Sequence, residues 1–61
     1  MKLEITEINY KLGYVSVVDW DTHKEYFTQG EQGQNDIDFI DFQGEKAFLD
    51  NLASSGYFDR E

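Results

Sequence analysis

Sixty-one residues with thirteen Asp plus Glu against five Lys plus Arg carry a formal charge of −8, with no cysteine and His23 as the lone histidine. That length allows one domain, residues 1–61, and a chain so short buries only about 60% of the surface its unfolded form exposes. The composition rules out a disulfide framework, removes the usual Cys and His ligands of zinc, and repels nucleic acid and anionic membrane surfaces alike.

Residues 2–10 alternate as a strand, with Leu3 and Ile5 on one parity and Ile8, Tyr10 and Leu12 on the other. The phase slips near Glu7, which is what a bulge does. "KLG" at 11–13 reads as a tight connection. "YVSVVDW" (14–20) is the clearest strand, rich in β-branched and aromatic residues. Tyr14, Ser16, Val18 and Trp20 share one face of it and Val15, Val17 and Asp19 the other, so apolar groups on both faces predict a central position.

"DTHK" (21–24) is a turn opened by Asp21, and "KEYFTQ" (24–29) a third strand. "GEQGQN" (30–35), with two glycines and no apolar side chain, reads as a loop. In "NDIDFIDF" (35–42), Ile37 and Phe39 alternate with Asp36 and Asp38 at the period of a short fourth strand. Asp41 then suits a helix N-cap. From Phe42 the period is helical: Phe42, Phe48, Leu49, Leu52 and Ala53 form one stripe, Gly44 sits in the first turn, and Gly56 ends the helix. Tyr57 and Phe58 are expected to fold back on the core. The expected class is α+β: a small two-layer domain, an antiparallel sheet of three to four strands with one C-terminal helix packed on one face.

Chemistry is hard to place on this chain. The serines are Ser16 in a strand and Ser54–Ser55 at a helix end, and His23 lies in a turn, so no nucleophile is paired with a base. "DWD" (19–21) and "DID" (36–38) each set two carboxylates two residues apart, but neither has the glycine or the third ligand of a calcium loop. No enzyme activity, metal or cofactor is expected. The N-terminal stretch "MKLEITEINYK" is charged throughout and lacks the apolar core of a signal peptide, so a cytoplasmic location is expected.

What the carboxylates offer is outward charge. Asp36 and Asp38 on the fourth strand, Asp19 and Asp21 flanking Trp20 on the second, and Glu31 between them are the expected partner-binding residues. Arginines in a groove built for a nucleic-acid backbone pair carboxylates as they pair phosphates. In general profile the chain resembles small virus-encoded inhibitors of bacterial enzymes, which are short, acidic and cysteine-free with a few strands and one helix. The charge of −8 on a compact, aromatic-rich chain without catalytic parts leads to the main expectation, an inhibitor or modulator of a basic, nucleic-acid-handling protein, acting in the cytoplasm (of the host cell if viral) as a nucleic-acid mimic without touching nucleic acid or membrane. The alternative is a self-assembling subunit, a homodimer whose acidity serves only solubility.

Overall fold

A computed structural model describes residues 2–58. Strands β1 (Leu3–Asn9), β2 (Tyr14–Asp19) and β3 (Lys24–Thr28) form one antiparallel sheet in the order β1-β2-β3, and helices α1 (Gly30–Gln43) and α2 (Glu45–Ser54) follow. β2 is the central strand, as its two apolar faces predict. The register shifts between Ile5 and Glu7, where the sequence pattern slips. Without that extra residue the second half of β1 would point Ile8 to water; with it Ile8 packs against the core.

The core lies between the sheet and the helices. Val15 and Val17 are completely buried and meet Ile37, Ile40, Phe48, Leu52 and Phe58. Burying a side chain of this size contributes about 1.5–3 kcal/mol, and rings contribute most per residue. Phe58 folds back as expected, at 5% exposure. Tyr57 lies over β3, donating its hydroxyl to the Glu25 carbonyl at 2.9 Å. Asp59 to Glu61 fall outside the described residues.

The second half departs from the sequence reading. Residues 30–35 are not a loop and 36–40 are not a strand; both belong to α1, so the helical layer has two helices and the sheet three strands. The buried positions of α1 are Gly33, Asp36, Ile37 and Ile40, a helical spacing, but only two of them are apolar. The helix face was therefore masked by a glycine and a carboxylate, while the Ile37/Phe39 alternation imitated a strand. Gly33 is there for closeness: a Cβ on it would stand 2.1 Å from the Gly13 carbonyl oxygen. Only a glycine lets the first turns of α1 lie on the β1–β2 turn.

Asp41 is correspondingly not an N-cap, since it sits in the last turns of α1. α1 ends at Gly44, whose φ of 95° breaks the helix and whose N–H still reaches the Ile40 carbonyl at 2.8 Å. The break resets the phase. Phe48 and Leu52 face the core as the stripe predicts, but Phe42 stays on the α1 side of the break and is 89% exposed.

Candidate functional site: two acidic surfaces

The six residues singled out from the sequence divide into three environments. Asp19 and Asp36 are inside the protein, at 2% and 8% exposure. Trp20 and Asp21 lie at the β2–β3 turn, and Glu31 and Asp38 on the outside of α1. Asp36 and Asp38 therefore do not share one outward face, as the expected fourth strand would have had them do. Two residues apart on a helix they point about 200° apart, one inward and one to solvent.

Asp19 organises a turn. Its Oδ1 accepts the Asp21 N–H at 2.9 Å and the Lys2 N–H at 3.2 Å. Its carbonyl accepts the His23 N–H at 2.6 Å. The Asx-type bond therefore starts at Asp19, two residues before the "DTHK" turn predicted from sequence. Burial pushes the Asp19 carboxyl up, but the N–H groups of Asp21 and Lys2 and the Thr22 hydroxyl outweigh it and hold the pKa below the usual carboxylate value.

Asp36 ties α1 to β3. Its Oδ2 accepts the Tyr26 hydroxyl at 2.7 Å and the Thr28 hydroxyl at 2.8 Å, and its Oδ1 accepts Gln32 Nε2 at 3.3 Å. Burial first, then the bond to Asp36, pushes the Tyr26 phenol up to about 12. This cluster walls an open groove of about 300 Å³ floored by Phe39, Phe48 and Leu52. The carboxylate there is already engaged by the protein's own donors.

Two exposed acidic surfaces remain, on opposite sides of the molecule. One is the outer stripe of α1, where Glu31, Asn35, Asp38 and Phe42 recur at helical spacing. Asp38 receives Gln34 Nε2 at 3.2 Å, and Tyr10 reaches Asp41 at 3.4 Å. The Asp41 charge raises the Tyr10 pKa.

The other surface is the uncovered face of the sheet. Pairing sets Glu4, Val18 and Glu25 side by side in one row across the three strands, and Glu7, Ser16 and Phe27 in the next. Trp20 donates its indole N–H to Glu4 at 2.9 Å, and the Tyr14 hydroxyl bonds Glu7, raising the Tyr14 pKa. Tyr14 and Phe27 rings stand 5.5 Å apart. The shortest extent of the molecule is 16 Å. That is about twice the Debye length at physiological salt, so a partner on one surface is largely screened from the charges of the other.

Of the sequence-predicted residues, only Trp20 belongs to this sheet face. Glu4 and Glu7 were missed because no local motif announces them, and Glu25 is legible only as a further acid near Asp19 and Asp21 in sequence; the face the three share depends on the bulge in β1 and on the pairing register. The parity of Tyr14, Ser16, Val18 and Trp20 was the available signal. Among the described residues, no cluster of three or more His, Asp or Glu is gathered as metal ligands. No helix among them is long and apolar enough to cross a membrane. Comparison with protein-family models, with curated proteins and with solved structures gave no match.

Proposed function

We propose that the chain is a small acidic protein-binding module that inhibits or modulates a basic, nucleic-acid-handling protein. The observation that carries this reading is how the carboxylates divide. Among the described residues, Asp19 and Asp36 are spent on the fold, and every other acidic side chain is exposed. No buried side-chain nitrogen or oxygen among them lacks a partner, so the interior makes no further demand on charge. A surface of this kind steers a cationic protein toward it and speeds association.

The test is capture on the immobilised protein from an extract of the organism in which it acts, eluted by a salt gradient and by duplex DNA. The reading expects basic, nucleic-acid-handling proteins that leave with moderate salt and are displaced by DNA. Retention that survives high salt and DNA would overturn it.

Self-assembly is the second reading, and the 89% exposure of Phe42 favours it. Repulsion between two copies at −8 each opposes it. A dimer that strengthens at high salt in light scattering belongs to this second reading alone.

A further inference from the structure

Resting on the acidic-binder reading, we infer that the open face of the sheet is the docking surface, and that it takes arginine side chains of a cationic protein partner. An antiparallel sheet with one face on the core normally turns a polar face to water. This one turns out Trp20 at 48% and Phe27 at 51% exposure, with Tyr14 half-buried beside Phe27. Tyr14 and Phe27 pack as a pair at one end of the face and Trp20 stands at the other, and Trp and Tyr are the residue types on which binding energy concentrates.

The charge on this face points to the occupant. Glu4 and Glu25 stand on the two edge strands with Val18 between them. Their Cα atoms are two strand spacings apart, roughly 10 Å. Glu7 joins them because of the register shift after Ile5. The described cations mostly lie elsewhere: Lys11 in the β1–β2 turn, Lys24 donating to the Tyr57 carbonyl at 2.8 Å, Lys46 on α2. Lys2 is the exception, at the Trp20 end of the face.

Acid and ring come in bonded pairs, Trp20 with Glu4 and Tyr14 with Glu7. A bonded carboxylate keeps lone pairs for a partner and has already lost its rotamer freedom, which lowers the entropy still to be lost on binding. A guanidinium uses such a pair fully. It stacks its plane on the ring and directs its fork of donors at the neighbouring carboxylate. An ammonium makes the second contact only as a point charge. On the outside of α1 the pattern is weaker: the one acid–ring pair there, Tyr10 with Asp41, is longer at 3.4 Å against 2.9 Å for Trp20 with Glu4, and Asp38 is bonded by Gln34, which offers no ring to stack on. A stable interface covers roughly 800 Å² per partner. Against a total surface of 4294 Å², that is just under a fifth of the molecule.

The experiment compares hexa-arginine with hexa-lysine peptides by calorimetry, with amide chemical shifts to map the contact. Three variants are used: Glu4→Gln with Glu7→Gln, Glu31→Gln with Asp38→Asn, and Phe27→Ser. Both double variants remove the same charge, and glutamine keeps an acceptor for Trp20 and Tyr14. The inference expects hexa-arginine to bind about fivefold tighter than hexa-lysine. It expects the sheet pair to weaken binding more than the helix pair, Phe27→Ser to erase the arginine preference, and shifts on β1, β2 and β3. Equal loss from the two pairs, or shifts centred on α1, would overturn the sheet assignment while leaving the acidic-binder reading standing. Binding indifferent to both pairs and to salt would overturn both.

Discussion

The two buried aspartates show how far a side chain's work depends on where the backbone carries it. Asp36 replaces an apolar residue on the inner face of α1 and holds two hydroxyls from β3. Truncation leaves the Tyr26 and Thr28 hydroxyls without that acceptor, and an orphaned buried polar group costs about 1–3 kcal/mol. Asp36→Ala is therefore expected to lower unfolding free energy by about 2–3 kcal/mol in urea denaturation, well beyond an exposed Asp38→Ala. Equal effects would place Asp36 outside the helix–sheet contact. Tyr26 gives a second handle. Its phenol titrates near 12 when folded and near 10 when unfolded, so the stability it contributes is whole below about pH 10. It is lost as pH rises toward 12. A spectroscopic phenolate titration should show its highest step in the wild type and lack that step in Tyr26→Phe.

At the scale of elements, the Gly44 break decides which aromatic is core. Phe48→Ala should cost about 3–5 kcal/mol, whereas Phe42→Ser should stay within about 0.5 kcal/mol of the wild type. Thermal and urea unfolding of the two variants check this; comparable losses would mean one continuous helix stripe. The three strands and the bulge were legible because β1, β2 and β3 carry period-two patterns on β-branched and aromatic residues. The C-terminal helix was legible from Phe48 to Ala53 for the same kind of reason. α1 was not. Its buried face spends Gly33 on close approach and Asp36 on a tertiary hydrogen bond, and tertiary contacts override local propensity. The acidic sheet face was half legible, in the Tyr14–Trp20 parity, but which glutamates join it depends on register.

At the scale of the whole molecule, the chain is a thin sandwich with charge on both outer sides and nearly all specific chemistry inside committed to folding. In the binding role proposed above, the field would supply speed and selectivity, and it is open to salt. Neither acidic surface needs the other, which makes the sheet and the outside of α1 separable by mutation. The most direct test of the account is the dissociation constant of the wild-type chain for its captured partner, measured as a function of salt concentration. Affinity should fall steeply as salt rises, and Glu4→Gln with Glu7→Gln should flatten the dependence. Affinity that holds level across the series would contradict the account.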